Sequence, residues 1–233
     1  MGHNHYLNQT CVFSSETIEL FLEELDASRN AYWRKLVVIC EQCAIKKVKL
    51  YIDAEYSHLQ PVVRALTLAM MKISDYIVYN TYQCYLKKSL THLHEDIKIA
   101  KDLKLSAWGC KLVRGAYLKA ESKSFQDRLI PEFPLHQSYE DTNHSYDDAV
   151  GYLMDEVSKM KTLHVTLATH NLDSLNKGLH LIRSNQHLKN QVNFAQINGL
   201  ADPISLALAS EEVQVLKLLP CGSVEEVLPW LGR

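Results

Sequence analysis

Six short β-rich segments, each followed by a stretch with helical periodicity, constrain this chain more than any other feature. They are Val48–Asp53, Tyr76–Asn80, Lys111–Val113, His164–Ala168, Val192–Ala195 and Val215–Leu219. Between them lie Leu59–Ile73, Leu86–Leu103, Ser145–Met160 and Leu172–Arg183, where apolar residues recur at three and four positions. Asn171 stands just before the last of these and has a side chain suited to an N-cap. Strand and helix in repeated alternation predict a parallel sheet with right-handed crossovers, since parallel neighbours need a connection long enough to return to the same end. Most spacings are near the roughly 30 residues of a βα unit.

Two more helices are expected ahead of the first strand, over Glu16–Leu25 and Tyr32–Ala44. Glu121–Asn143 breaks the rhythm: it holds Pro131 and Pro134 among polar residues and reads as a long surface loop. No repeat, low-complexity tract or linker divides the chain, so residues 1–233 read as one domain. Two α/β architectures remain open on pattern alone. A closed (β/α)8 barrel takes about 250 residues and eight strands. A six-stranded doubly wound sheet matches the strand count directly.

Composition narrows the function. Hydrophobic residues make up 47% of the 233, as in soluble globular proteins, and the net charge of -2 gives no electrostatic basis for binding nucleic acid or an anionic membrane. No apolar run approaches the roughly 20 residues of a membrane span. The start, Met1-Gly-His-Asn-His5, lacks a signal core and a transit pattern. Cys11, Cys40, Cys43, Cys84, Cys110 and Cys221 are scattered and read as reduced thiols. Cys40-Glu-Gln-Cys43 matches C-x-x-C but lies in a helical segment with no second pair. His3-x-His5 and His92-x-His94 lack carboxylate or cysteine company and read as solvated histidines, so no metal site is expected.

The strand-like segments end in Asp53-Ala-Glu55, Asn80-Thr-Tyr-Gln83, Arg114-Gly-Ala-Tyr117, Thr169-His-Asn171, Gln196-Ile-Asn-Gly199 and Pro220-Cys-Gly222. In a parallel sheet all six groups converge on one face, where such folds place their chemistry. Taken singly, Asp53 and Asn171 are equally well read as helix caps. Six coincident polar ends are not explained by capping. No Walker loop, G-x-G-x-x-G or G-x-S-x-G is present. A pocket rich in hydrogen-bonding groups and poor in acid–base pairs suits an organic cofactor that the protein orients and tunes. The competing reading is a barrel hydrolase using His170 and Asp53.

These ends belong to ordered motifs: Asp-Ala-Glu-Tyr-Ser-His-Leu-Gln-Pro (53–61), Asn-Thr-Tyr-Gln-Cys-Tyr-Leu-Lys (80–87), Lys-Leu-Val-Arg-Gly-Ala-Tyr (111–117), Ala-Thr-His-Asn (168–171), Gln-Ile-Asn-Gly-Leu (196–200) and Pro-Cys-Gly-Ser-Val-Glu-Glu-Val-Leu-Pro-Trp-Leu (220–231). Together they resemble proline dehydrogenase of the eukaryotic mitochondrial kind, with hydroxyproline dehydrogenase its near relative, from about Tyr32 onward. The resemblance implies a TIM-type (β/α)8 barrel with FAD at the C-terminal ends of its strands. It implies oxidation of proline to 1-pyrroline-5-carboxylate by hydride transfer to flavin N5, with electrons passed to membrane quinone in the mitochondrion.

Residue by residue, it implies catalytic roles for Asp53 and for Lys111, the latter beside flavin N5. Cofactor contacts fall on Ala54, Asn80, Arg114, Gly115, Ala116, Thr169, His170 and Gln196. Leu112 and Tyr117 would pack near the substrate, Trp230 would cover its ring where the family usually has tyrosine, and Arg233 would clamp its carboxylate. The chain departs from the family pattern in several places. A second arginine after Arg233 and an early Lys-Leu-Thr/Ser-Ala-Leu strand do not occur, so about six of eight strands and an incomplete barrel are expected. Leu218, Asn198 and Cys221 also stand where other residues are usual. Losing one carboxylate ligand in a desolvated site costs on the order of 2–5 kcal/mol of binding. Proline oxidation, hydroxyproline oxidation and a non-catalytic relative all remain open at this point.

Overall fold

The structure, a computed structural model, describes residues 13–28, 30–74, 76–126 and 133–231. Two helices, α1 (Ser15–Ala27) and α2 (Ala31–Lys46), precede the alternating part. Then follow β1 (Leu50–Tyr51), α3 (Gln60–Ile73), β2 (Val78–Gln83), α4 (Ser89–Asp102), β3 (Trp108–Val113), α5 (Leu118–Gln126) and α6 (Tyr139–Lys159). The chain continues with β4 (Leu163–Ala168), α7 (Leu172–Ser184), a 3-10 turn (Gln186–Asn190), β5 (Val192–Ile197), α8 (Asp202–Ser210), β6 (Val215–Leu218) and α9 (Val224–Leu231). No described helix is long and apolar enough to cross a membrane.

The six strands are all parallel and lie side by side in chain order. This order decides between the two architectures. A doubly wound sheet reverses its strand order at a switch point, and here it never reverses. The sheet is six strands of a barrel wound in one sense, an open half-barrel, and the doubly wound alternative is overturned.

Alternation along each strand sorts the side chains. Val78 and Tyr82 of β2, Cys110 and Leu112 of β3, Val165 and Leu167 of β4 and Phe194 of β5 join helix residues such as Leu68, Leu93, Ile97, Leu153 and Leu175 in the main core. The residues between them face the concave side. Register places Thr81, Lys111, Thr166 and Asn193 in one row across β2 to β5. One row earlier Tyr79 stacks on Tyr51, with ring centroids 4.1 Å apart. The Tyr79 ring occupies the space a side chain at position 109 would need: a Cβ on Gly109 would lie 2.6 Å from it. The concave floor is thus aromatic, and the rim nearer the strand ends is polar.

The expected loop over Glu121–Asn143 is corrected at both ends. Its first part belongs to α5, and α6 begins at Tyr139. Ser138 caps α6 by accepting from the Asp141 amide at 2.9 Å, and Glu140 and Asp141 complement the helix dipole in the first turn. A cap and an acidic first turn are polar by nature, which is why the stretch read as loop. Pro131 lies outside the described residues.

His92 is a second correction. It is half-buried on α4 rather than solvated, and burial, reinforced by the Arg64 charge, pushes its pKa down from 6.5 to about 4. The unfolded chain therefore takes up a proton in this window that the folded chain refuses. The associated stability is complete above pH 6.5 and is lost as pH falls toward 4. We expect about 3 kcal/mol of pH-dependent stability from this group. Thermal unfolding followed across that window should show a shallower loss on acidification for His92→Gln than for the parent chain; parallel pH profiles would refute the assignment.

Candidate active site at the strand ends

Lys111 points to the concave side near the end of β3, and Asp53 lies just past β1. Their side chains form an ion pair although 58 residues separate them. The Lys111 side chain is 14% exposed and that of Asp53 64%. A pair this open contributes little to stability. What matters is that two elements bring opposite charges to one place at the mouth of the half-barrel.

Gln83, the last residue of β2, ties the neighbouring segments together. It is buried, its Nε2 donates to the Glu55 carbonyl at 3.0 Å, and its Oε1 accepts from the Ala116 amide at 3.0 Å. One primary amide thus fastens the loop carrying Asp53 to the turn after Lys111. The sequence places Gln83 among the polar strand ends but assigns it no role. The available signal was an amide closing an otherwise buried strand, where donor and acceptor must both be satisfied.

Gly115 has φ +149°, and a Cβ built there would lie 1.8 Å from the Tyr85 ring. The turn therefore needs glycine for backbone conformation and for space. Arg114 leaves the mouth for the helical layer: its Nη1 donates to Ser174 Oγ at 2.7 Å, and its guanidinium lies 5.5 Å and 5.2 Å from the Tyr139 and Tyr146 ring centroids. Tyr117 stays at the mouth, with its ring 4.4 Å from that of Tyr56 and its hydroxyl 3.5 Å from Glu55 Oε2.

Beyond β4, His170 Nε2 accepts from the Ile197 amide at 3.1 Å, which leaves the proton on Nδ1. Burial, then the Lys217 charge, lowers its pKa, so the neutral ring is favoured. A model of the proline dehydrogenase family matches residues 4–233. The chain belongs to this family.

Several proline dehydrogenase relatives agree. The chain is 32% identical to "Proline dehydrogenase 1, mitochondrial" of Dictyostelium discoideum, over 98% of this chain and 41% of that protein. It is 35% identical to "Hydroxyproline dehydrogenase" of Xenopus laevis, over 91% and 47%, and 32% identical to human "Proline dehydrogenase 1, mitochondrial", over 91% and 36%. The chain thus spans less than half the length of these relatives. Among solved structures, proline utilization A from Bdellovibrio bacteriovorus superposes with a TM-score of 0.79 at 18% identity, over 89% of this chain and 22% of that one. This likeness shows the barrel fold.

Within that family frame, the residues expected at the site divide. Asp53, Lys111, Gly115, Ala116 and Tyr117 gather at the mouth, with Ala54 beside Asp53 and only 9% exposed. Leu112 and Asn80 do not join them. Leu112 is fully buried in the main core, and Asn80, 1% exposed, lines a cavity of about 20 Å³ with Gln60, Arg64 and His92. That space is large enough for one water, which would meet the unpartnered Asn80 Nδ2. Both positions follow from period-two alternation, which turns them to the helices. Gln196 is used internally: its Nε2 donates to the Thr169 carbonyl at 3.3 Å, and its Oε1 accepts from the Ser205 hydroxyl. Thr169 Oγ1 accepts from the Asn171 amide at 3.1 Å.

Of the two capping readings, one holds. Asn171 caps α7, accepting from the Ser174 amide at 2.9 Å, whereas Asp53 pairs with Lys111. His170 and Asp53 engage different partners, so the hydrolase pairing has no geometry here. Among the described residues no cluster of three ligating side chains could hold a metal ion. The Trp230 side chain and Arg233 lie outside the described residues.

Proposed function

We propose that this chain supplies the catalytic barrel wall of a mitochondrial FAD-dependent oxidoreductase that converts proline to 1-pyrroline-5-carboxylate. The observation that carries the reading is the Lys111–Asp53 pair, delivered from two strand ends to one mouth. The substrate loses a hydride from the ring carbon beside nitrogen and a proton from the nitrogen, leaving a C=N bond. When bound, FAD supplies the two-electron acceptor for this oxidation, and membrane quinone takes the electrons onward. Relatives named mitochondrial support the location.

The donor set suits such a cofactor. Lys111 holds a positive charge where negative charge accumulates on reduction. Asp53 orients that ammonium. The Nδ1–H of His170, which has no partner among the described residues, is free to donate, and Gly115 lets the Tyr85 ring pack behind the turn that follows Lys111. Tyr117 and Tyr56 form an apolar wall that excludes water from a small saturated ring. Lys111, Gly115, Ala116 and His170 would hold the flavin, and Asp53 and Tyr117 would face the substrate.

The test is an absorption spectrum of the purified chain expressed with riboflavin. Flavin bands that bleach on adding proline support the reading. Replacing Lys111 by methionine should slow bleaching by roughly 100-fold while leaving the fold intact. Bleaching by 4-hydroxyproline alone would move the assignment to the substrate of the Xenopus relative. A colourless, folded protein would sink the proposal.

A further inference from the structure

Glu121 is the most unusual charge in the molecule. It lies in the first turn of α5 and is 2% exposed. No cation pairs with it among the described residues. A buried carboxylate without a countercharge opposes folding unless its oxygens are fully hydrogen-bonded. Here each oxygen accepts one bond: Oε1 from the Ser57 amide at 2.6 Å and Oε2 from the Tyr85 hydroxyl at 2.7 Å.

The two donors are informative. Ser57 belongs to the loop that begins with Asp53. The Tyr85 ring packs against Gly115 in the turn after Lys111, and the Tyr85 amide donates to the Arg114 carbonyl at 2.8 Å. Glu121 therefore joins the segment presenting the acid to the segment presenting the base. Gln83 makes the same connection from the other side, through Glu55 and Ala116. An apolar residue would fill this space without the desolvation cost of a carboxylate. It would not reach an amide and a phenol at once.

We infer that Glu121 is a positioning residue that sets the separation of Asp53 and Lys111 by clamping their loops. The inference rests on the reading of those two residues as the working pair. Its geometry can be tested apart from that reading.

The experiment is hydrogen–deuterium exchange on the full chain with Glu121→Ala, Glu121→Gln and Tyr85→Phe. Glutamine keeps an acceptor for Ser57. Phenylalanine keeps the ring against Gly115 and removes only the hydroxyl tie. We expect exchange over residues 53–59 to accelerate by about tenfold or more in Glu121→Ala. It should accelerate less in Tyr85→Phe and stay near the parent rate in Glu121→Gln, with β4 and β5 unchanged throughout. Acceleration spread evenly over the molecule, or none at 53–59, would overturn the inference; if Glu121→Ala does not fold, Tyr85→Phe alone decides by the same criterion. In the flavin-loaded protein, Glu121→Ala should raise KM for proline or slow hydride transfer by about tenfold, with rescue by glutamine. Failure of the parent to bleach with proline while the exchange pattern holds would remove the substrate assignment and leave the clamp standing.

Discussion

Replacing Gly115 by alanine should cost on the order of 3 kcal/mol or more, from backbone strain and overpacking together. The backbone sits at φ +149°, and the added methyl would lie 1.8 Å from Tyr85 Cδ1. The ring has nowhere to go, because Tyr85 is 1% exposed and its hydroxyl is held by Glu121. Relief must come from moving the 114–117 turn, which breaks the Ala116 bond to Gln83 and shifts the backbone behind Lys111. Retention of the proposed flavin should fall together with stability. Gly199→Ala is the control: φ is +82° there, but nothing lies within 4 Å of the added Cβ. That variant should cost only about 1 kcal/mol. Equal unfolding midpoints for the two variants would show that the Tyr85 contact is not limiting.

Asp96→Ala should be at least as damaging, by a different mechanism. Arg64 and Asp96 are 3% and 0% exposed and join α3 to α4, with Arg64 Nε donating to Asp96 Oδ1 at 2.7 Å. The Tyr82 hydroxyl of β2 donates to Asp96 Oδ2 at 2.5 Å. Removing the carboxylate leaves a buried phenol without its acceptor and a buried guanidinium with only the half-exposed Glu95 carboxylate as its ion-pair partner among the described residues. Breaking one side of such a pair costs about 3–5 kcal/mol. Glu95 also meets Arg64, at 2.8 Å, but its side chain is 40% exposed. Glu95→Ala should therefore cost about 1 kcal/mol or less. Denaturant unfolding of the two variants separates them, and similar losses would mean that solvent reaches the pair. Replacing the pair together by Arg64→Met and Asp96→Leu should recover part of the loss, since the guanidinium goes with its partner while the buried Tyr82 hydroxyl stays without its acceptor.

Both predictions depend on features of unequal visibility in the sequence. Gly115 stands in a motif and at a strand end, so its importance is legible, while the reason, the Tyr85 ring behind it, is not. Arg64 and Asp96 look like ordinary polar residues of amphipathic helices, and nothing local marks them as buried. Leu112 is the opposite case. Alternation alone puts it on the face opposite Lys111, so a strand reading already separates the two. Asn80 likewise lies on the helix side, between Val78 and Tyr82, which both face the helices.

What the sequence determined by itself is local. Apolar β-rich runs bounded by polar turns give all six strands, and the three- and four-residue periodicity gives most of the helices between them. The ordered motifs give the family. The tertiary structure decided everything that depends on register and winding. Unreversed strand order chose the barrel over the doubly wound sheet. Asp53 meets Lys111, Glu55 meets Tyr117 and Ser57 meets Glu121 across 58, 62 and 64 residues of chain. No local propensity encodes such contacts. They exist because parallel strands in fixed register bring their ends to a single rim, where buried donors and acceptors must find one another.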